Sequence, residues 1–460
     1  FNDTATTEIY TLYSSAASDV YKRQIEDLSV LLGSSKLSPK ELVLHLLKRS
    51  EKLDPLLNVW VSINPDLASA NSTHNNTSFL DSIPVGIKDI YCTRDMKTTC
   101  CSPIYENYNP GYDAETVKLL RQANAVIMGK TVTTQFACGD PPPTKNPWNS
   151  SRTPGGSSSG SAVGVASGIF PAALGSQTAG SVLRPASYNG VVGFKPTYGL
   201  VSRQGVFPVA LSLDTMGWFT RSVTDAAILL RYLAGYDRTD KDSKNINLDL
   251  SNTVPTVSPT PPSIGIVENF YYENSDHSTM TNFKVLLEKL SKAGASIEVT
   301  GKKFDFDRII DSHKTIMNCE ASHTHKDNHE SRPDDFAPKV REIIEDGLRT
   351  PTYEYIEAKH FQQEYVTQVS ELLEKYDVLI MPTAMSGAPN AETTGQPVFQ
   401  APWTMAGVPA ISLPYELDHD GMPLGLQIIS NHFSDLKLLS ASMWVEKVVN
   451  FTHRPSIPND

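Results

Sequence analysis

The stretch that decides the fold reads GGSSSGSA over residues 155–162, and a second small-residue block, QTAGSVLRP, follows at residues 177–185. The two glycines before Ser157 can hold a strained turn of the backbone. Ser181 lies among small residues, so a substrate carbonyl can come close to the main chain there. Two serines presented in this way indicate nucleophilic chemistry.

A third segment, VGIKD at residues 85–89, places Lys88 upstream of both blocks. A serine hydroxyl is a poor nucleophile until a base takes its proton. Lys88 becomes such a base when burial lowers its pKa, and Ser157 can pass the proton from Ser181 to it. The three segments therefore predict an acyl-transfer enzyme that uses no histidine base.

The second block also predicts a site for a developing negative charge. A tetrahedral intermediate needs fixed hydrogen-bond donors around its oxyanion. The backbone N–H groups of Thr178, Ala179, Gly180 and Ser181 are the candidates, because their small side chains leave the main chain accessible. We therefore expect residues 178–180 to form the oxyanion hole and to bind substrate.

Further segments extend the pattern: GFKPT at 193–197, SLDT at 212–215, residues 376–382 and GVPAI at 407–411. Together with the GIKD lysine, the GGSSSGSA block and the 24-residue spacing from Ser157 to Ser181, these segments resemble the amidase signature family over about residues 25–450.

The resemblance implies a Ser–Ser–Lys triad. Ser181 would be the nucleophile, Lys88 the distal base and Ser157 the shuttle between them, with a cis peptide bond from Gly156 to Ser157. It also implies an α/β fold, a single large three-layer α/β/α domain with a central mixed β-sheet. The triad needs no cofactor and no metal.

Two positions depart from the commonest family pattern. Gln177 stands where an acid usually lies four residues before the nucleophile, and Arg184 lies three rather than two residues after it. Neither departure touches the triad. Since both residues border the nucleophile loop, they bear on substrate preference more than on the type of reaction.

Three functions fit the pattern. The first is a stand-alone amidase that acts on a small carboxylic amide. The second is the glutaminase component of a tRNA-dependent amidotransferase, which would need partner chains; Gln177 and Arg184 weigh against it, because that type of protein usually keeps the acid and the earlier arginine. The third is a non-enzymatic binding protein on the same fold, which the intact Lys88, Ser157 and Ser181 disfavour. A flexible linker or a phosphate loop would explain GGSSSG alone, but not the second block at its fixed spacing.

Residues 1–24 do not read as part of a natural protein. Residues 2–11 and 14–24 match direct translations of a sequencing-library adaptor and a transposase adaptor, in their expected order. We therefore expect this segment to be an unstructured artefact that replaces the native start, and we exclude it from the interpretation of the fold.

Composition favours an acidic, soluble, cytoplasmic enzyme. The formal net charge is −11 with 20% charged residues, and no basic stripe indicates a nucleic-acid partner. No apolar run reaches the length of a membrane span. The five cysteines have no CxxC spacing, which is typical of reduced thiols. The expected partner is a small-molecule amide; a homodimer remains open.

Helical patterns alternate with short apolar strands after residue 25, as in a layered α/β domain. The sequence predicts a capping box at residues 38–41, a helix from Asp113 to Ala125 and a capped helix from Ser222 to Gly235. Residues 237–262 read as an exposed connection, so one domain over residues 25–460 is expected.

Four histidines lie close together in the sequence: His313, His323, His325 and His329. Their spacing matches no zinc signature, and charged residues surround them. A solvated helix face is therefore the preferred interpretation over a metal site.

Overall fold

A computed structural model describes residues 20–69, 78–246, 248, 256–258, 260–267 and 269–457 of the chain. One mixed sheet of 11 strands runs through these residues in the order β1-β3-β2-β4-β6-β5-β10-β11-β9-β7-β8. Its strands are β1 Trp60–Ile63, β2 Pro84–Lys88, β3 Val126–Thr131, β4 Ala172–Gln177, β5 Val192–Lys195, β6 Thr215–Thr220, β7 Ser263–Ile266, β8 Ser296–Val299, β9 Val378–Pro382, β10 Ala410–Leu417 and β11 Pro423–Ile429.

Thirteen α-helices accompany the sheet within the described residues. They are α1 Ile25–Gly33, α2 Pro39–Leu57, α3 Glu115–Gln122, α4 Ser159–Ala166, α5 Leu183–Asn189, α6 Val223–Leu233, α7 Phe270–Asn274, α8 His277–Lys292, α9 Phe306–Ser331, α10 Pro338–Arg349, α11 Thr352–Leu373, α12 Ala401–Ala406 and α13 Asp435–Val449. Every residue of the central strands β2, β4, β9 and β11 is buried, which requires cover on both faces of the sheet. The expected three-layer α/β/α fold with a mixed sheet is confirmed.

Short polar sequences start the helices as the sequence predicts. Ser38 caps α2 through the backbone N–H of Glu41, and Glu41 bonds back to the N–H of Ser38, so the capping box is present. Ser222 caps α6 in the same way through Asp225, although this helix ends at Leu233. Helix α3 begins at Glu115 and lacks a side-chain cap, so its predicted start at Asp113 was too early.

Parallel pairing of β2 with both β3 and β4 places the chemistry at one edge of the sheet. Ile87 lies opposite Leu174 of β4, so Lys88 ends its strand beside the last residues of β4. The nucleophile block then runs from the end of β4 into α5. Loops at the carboxyl ends of neighbouring parallel strands meet at one edge, which brings distant segments of sequence together.

The chain start is described only from residue 20. Val20 begins a 3₁₀ turn that extends to Lys22, and its side chain is buried. The Tyr21 ring stacks on the guanidinium of Arg49 at 3.9 Å. Residues 20–22 are thus ordered against the fold, while residues 1–19, where most of the expected artefact lies, fall outside the described residues.

The predicted connection at 237–262 is described only in part, because residues 247, 249–255 and 259 lie outside the described ranges. Its first residues are not simply exposed. Asp240 is buried and accepts from the backbone N–H and the guanidinium of Arg203, and Asp242 contacts the same guanidinium at 2.6 Å. This ion-pair network fixes the beginning of the connection. Among the described residues, no helix combines the length and the apolar character needed to cross a membrane.

Candidate active site

Lys88 ends strand β2 with a completely buried side chain. Its Nζ lies 2.7 Å from Ser157 Oγ and 2.8 Å from Ser176 Oγ. No carboxylate of the described residues lies within salt-bridge distance of this amine. The structure therefore brings Lys88 and Ser157 together as the sequence predicts and adds Ser176 as a second hydroxyl partner.

Burial lowers the pKa of Lys88 to about 7, because the charged form loses its hydration. The negative charge of Asp214 opposes this effect and raises the pKa, but it does not balance the desolvation. A lysine in these surroundings is neutral in a large fraction of molecules at pH 7. It can therefore accept a proton, which an ordinary lysine cannot do at that pH.

Ser157 precedes helix α4 and its peptide bond with Gly156 is cis, as expected. The Ser157 carbonyl accepts from the N–H of Thr134 at 3.2 Å. The Gly156 carbonyl accepts from Arg184 Nη2 at 2.8 Å. The carbonyls of Gly156 and Ser157 are thus both anchored, and the Ser157 side chain is directed to Lys88.

Ser181 lies in the turn between β4 and α5 and is 8% exposed. Gln177 fixes this turn, because its Oε1 accepts from the N–H groups of Val182 at 2.9 Å and Leu183 at 3.0 Å. The Ser181 hydroxyl forms no hydrogen bond with any other described residue. Ser181 therefore keeps a hydroxyl without a partner among the residues that the structure describes, on a turn that Gln177 holds in place.

Three consecutive carbonyls around Ser181 are occupied by other groups. The Thr178 carbonyl lies 2.9 Å from His313 Nε2, and the Ala179 carbonyl accepts from Thr404 Oγ1 at 2.7 Å. The Gly180 carbonyl, just before helix α5, accepts from the N–H of Arg184 at 3.0 Å. Within the described part of the chain, the N–H groups of residues 179–181 have no partner, which is what an oxyanion hole requires.

Thr178 is also held through its side chain. Its Oγ1 donates to Asp214 Oδ1 at 2.5 Å, and Asp214 Oδ2 accepts from the N–H groups of Val209 at 2.8 Å and Ala210 at 3.0 Å. Burial raises the pKa of Asp214 to about 6, although these hydrogen bonds partly offset the effect. The SLDT segment thus contacts the nucleophile turn directly.

Gln177 and Arg184, the two residues that depart from the family pattern, are both buried, and their side chains hold neighbouring loops in place. Besides capping the turn, Gln177 donates from Nε2 to Thr404 Oγ1 at 3.0 Å, a bond that a carboxylate could not donate. Arg184 links the nucleophile turn to the Gly156 carbonyl. Burial lowers the pKa of Arg184 to about 10. Gln177 and Arg184 therefore support the loops that carry Ser181 and Ser157.

Sequence reasoning missed Ser176, Thr404 and the contact of His313. Ser176 and Gln177 are the polar residues that end an otherwise apolar buried strand, and this placement was the available signal. Thr404 of α12 lies 225 residues from its partner Ala179 in the sequence, and His313 of α9 lies 135 residues from its partner Thr178. No local pattern indicates such contacts.

The histidines of α9 do not gather around a common point. His313 faces Thr178, whereas His325 is buried against the ring of Phe136, 4.5 Å between centroids. His329 lies 3.8 Å from Glu345 of helix α10. The described residues contain no group of three or more histidine, cysteine or acidic side chains suited to hold a metal. The expected solvated helix face is wrong for His313 and His325, which are buried.

Comparisons with known proteins agree on the amidase family. The amidase family model matches residues 41–439. The chain is 33% identical over 477 residues to a glutamyl-tRNA(Gln) amidotransferase subunit of Halothermothrix orenii, covering 95% of this chain and 100% of that protein. The solved structure of the corresponding Thermotoga maritima protein has a TM-score of 0.82 at 32% identity, covering 96% of this chain and 98% of that one. A crystal structure described as an amidase has a TM-score of 0.82 at 28% identity, covering 92% and 99%.

Proposed function

Because the chain belongs to the amidase family, we propose that it hydrolyses a carboxylic amide to an acid and ammonia or an amine, through an acyl-serine intermediate on Ser181. The observation that carries the proposal is the 2.7 Å contact between Lys88 and Ser157 in a fully buried setting without a carboxylate counter-ion. Such an amine can be neutral at pH 7, and a neutral amine is the base that this reaction needs.

Acylation requires a proton transfer from Ser181 towards Lys88 and a later transfer from Lys88 to the departing nitrogen. Ser181 attacks the amide carbon while its proton passes to Ser157, whose own proton passes to Lys88. The oxyanion that forms is stabilised by the unpartnered N–H groups of residues 179–181. When the C–N bond breaks, the proton returns through Ser157 to the departing nitrogen, and Lys88 is neutral again.

Deacylation repeats the relay with water. A water molecule attacks the acyl carbon, its proton passes to Lys88 through Ser157, and the same proton returns to Ser181 as the ester bond breaks. The catalytic residues are therefore Lys88, Ser157 and Ser181, with the N–H groups of the 178–181 turn as the oxyanion hole. The bond cleaved is a non-peptide C–N bond of a linear amide.

A glutaminase role within a tRNA-dependent amidotransferase is the second candidate. The names of the relatives at 33% and 34% identity favour it. It uses the same triad but delivers ammonia to a partner chain instead of to solvent. The amidase without partners remains first, since Gln177 and Arg184 depart from what that type of protein usually carries. Free thiols at all five cysteines accord with a cytoplasmic location for either candidate.

Two measurements test the proposal. The wild-type protein should be labelled by a fluorophosphonate, and Ser181→Ala should lose both labelling and turnover, by about 10⁶-fold for turnover, as expected when a serine nucleophile is removed. Labelling that persists in Ser181→Ala places the nucleophile elsewhere. Ammonia release from a panel of small amides that includes glutamine separates the two candidates. If glutamine is hydrolysed and the other amides are not, the result favours the amidotransferase role.

A further inference from the structure

Thr178 is held at both of its polar ends by residues outside the predicted triad. Asp214 accepts from its hydroxyl at 2.5 Å, and His313 lies 2.9 Å from its carbonyl. Asp214 is 5% exposed and His313 is 4% exposed, so water does not compete strongly for either contact. We propose that Asp214 and His313 are positioning residues that fix the oxyanion hole of Ser181, an inference that rests on the proposed function.

The geometry of the peptide unit explains how a carbonyl contact orients an N–H group. The Thr178 carbonyl and the Ala179 N–H belong to one planar trans unit and point in opposite directions. When His313 holds the carbonyl, the Ala179 N–H is turned away from helix α9. The other carbonyls of the turn are held by Thr404 and Arg184, so His313 supplies the first of three anchors.

His313 must be the donor in this contact, because a carbonyl oxygen only accepts. Burial lowers the pKa of His313 to about 4, so the ring is neutral above that pH and Nε2 carries its hydrogen. The strength of the contact therefore does not change between pH 6 and pH 9. Its loss should reduce the rate without moving the pH profile.

Helix α9 holds the segment of Asp214 as well as Thr178. Glu320 lies seven residues after His313, so both side chains share one face of the helix. Glu320 Oε2 accepts from the N–H of Ser212 at 2.8 Å, and the Tyr355 hydroxyl donates to Glu320 Oε1 at 3.0 Å. One face of α9 thus fixes both the nucleophile turn and the loop that leads to Asp214.

Asp214 adds a charge that His313 lacks. Its negative charge raises the pKa of Lys88. The thiols of Cys100, Cys101 and Cys138 also lie near Lys88, but burial raises their pKa values, so they carry no charge near pH 7. The positive charge of Arg203 in turn lowers the pKa of Asp214. Removing the charge of Asp214 should therefore lower the pKa of Lys88 further. Since neutral Lys88 is the active form, the rising limb of the pH profile should move to lower pH.

His313→Leu tests the carbonyl anchor. Losing a direct oxyanion donor costs about 10²–10³-fold in rate, so a misdirected donor should cost about 10-fold to 100-fold in kcat and in the rate of fluorophosphonate labelling, with KM changed little. His313→Gln, whose amide N–H can take the place of Nε2, should recover most of the rate. If His313→Leu does not fold, His313→Asn provides a polar side chain too short to reach.

A matched control uses another histidine that bonds a carbonyl. His432 Nε2 lies 2.8 Å from the Ala406 carbonyl, so His432→Leu removes the same kind of contact outside the nucleophile turn. It should leave the labelling rate unchanged. Equal labelling rates in wild type and in folded His313→Leu or His313→Asn overturn the role of His313.

Asp214→Asn tests the second anchor by its pH profile. The rate should fall, and the midpoint of the rising limb should move to lower pH. Asp225→Asn is the control, because Asp225 is equally buried with a pKa raised to about 6, but it accepts from the N–H groups of Ile25 and Glu26 at the start of α1. A limb that stays in place in Asp214→Asn overturns its effect on Lys88.

The outcomes separate the inference from the function on which it rests. A wild-type protein that is not labelled, or a Ser181→Ala variant that is, overturns the proposed function itself. Normal labelling of wild type together with unaffected His313 and Asp214 variants overturns only the inference.

Discussion

Two completely buried lysines on neighbouring strands have opposite surroundings. Lys88 of β2 contacts two serine hydroxyls, whereas Lys130 of β3 lies 3.1 Å from the carboxylate of Asp89 and donates to the Tyr91 carbonyl at 2.7 Å. The strands pair in parallel with Ile87 opposite Lys130. Two equally buried lysines thus have different kinds of partner, hydroxyl groups in one case and a carboxylate in the other.

The difference shows that the partner, not burial alone, decides what a buried lysine can do. A carboxylate at ion-pair distance makes a buried lysine part of a structural ion pair. Hydroxyl partners do not balance the desolvation of the amine, and the pKa of Lys88 falls to about 7. Asp89 follows Lys88 directly in sequence but lies beyond the end of β2, and its carboxylate contacts Lys130 instead of Lys88.

Lys88→Met should break the catalytic side of this comparison with the largest effect. Loss of a general base typically lowers the rate by about 10²–10⁴-fold. The stability should stay near that of wild type, because methionine fills the site without an amine that must be desolvated. Steady-state amide hydrolysis and chemical denaturation measure the two quantities; an active Lys88→Met protein contradicts the assignment of the base.

Lys130→Met is the matched variant on the structural side. It leaves the buried carboxylate of Asp89 unpaired, which typically costs about 3–5 kcal/mol of folding free energy. The double variant Lys130→Met/Asp89→Asn should regain part of that loss. If Lys130→Met is as stable as wild type, the two lysines do not differ as their contacts indicate.

Ser157→Ala should have the next largest effect. A water molecule can enter the space left by the hydroxyl and carry the proton in part, so the loss should be smaller than in Lys88→Met, about 10–10²-fold. Comparing kcat of the two single variants and of the double variant tests whether they act as one relay. Additive losses would count against a shared proton path.

The pH profile should show Lys88 directly. Its pKa is lowered to about 7, and the proposed base is its neutral form, so activity should rise with pH, reach half of its maximum near pH 7 and level off above. Each pH unit below the midpoint should cost about tenfold, as one titrating group requires. An activity that falls as pH rises through 7 is the opposite sign and excludes a neutral lysine base.

Ser176→Ala should have a smaller effect on activity. It removes one hydrogen bond of about 1 kcal/mol from Lys88 but leaves the contact with Ser157, so the rate should fall about fivefold to tenfold. The midpoint of the pH profile reports whether the lost bond also changed the pKa of Lys88. A loss as large as that of Ser157→Ala would mean that Ser176 shares the relay.

Lys195 gives the smallest expected effect on activity and sharpens the comparison. Its pKa is also lowered to about 7 by burial, but its Nζ donates to the carbonyls of Val408 at 2.7 Å and Pro196 at 3.0 Å, which cannot pass a proton on. Between pH 7 and pH 10.5, the pKa of an ordinary lysine, Lys195 is protonated in the unfolded chain but neutral in the native protein, so the unfolded chain binds one more proton. Stability therefore rises with pH by about 1.4 kcal/mol per unit in this window, and below pH 7 this contribution is flat.

Lys195→Met should remove that slope from the unfolding free energy, measured by denaturant at pH 7.5 and pH 9. It should leave the pH profile of activity unchanged. A shift of the activity profile in Lys195→Met would show that the two lysines are coupled, contrary to their separate contacts.

The sequence predicted those parts of the site that depend on residues close together in the chain. The glycines before Ser157, the small residues around Ser181 and the spacing between the two serines identify a strained turn and an accessible main chain. Capping at Ser38 and Ser222 was predicted for the same reason, since a cap involves residues only three positions apart. The layered α/β fold followed from alternating helical and strand patterns.

Other parts of the site depend on which strands and helices lie together. The partners Lys88 and Ser176 are 88 residues apart, and Thr178 and His313 are 135 apart. No periodicity links such positions, so the sequence alone placed His313 on a solvated helix face and gave Gln177 no contact.

By itself, then, the sequence determined the chemistry available: two serines, one lysine and a turn of small residues at a defined spacing. Only the tertiary structure decided that Lys88 meets hydroxyls while Asp89 meets Lys130, and that His313 and Asp214 reach Thr178. The physical reason is that a pKa and the direction of a hydrogen bond depend on burial and on the nearest partner in space. Both are set by the register of the sheet and the packing of helices on it.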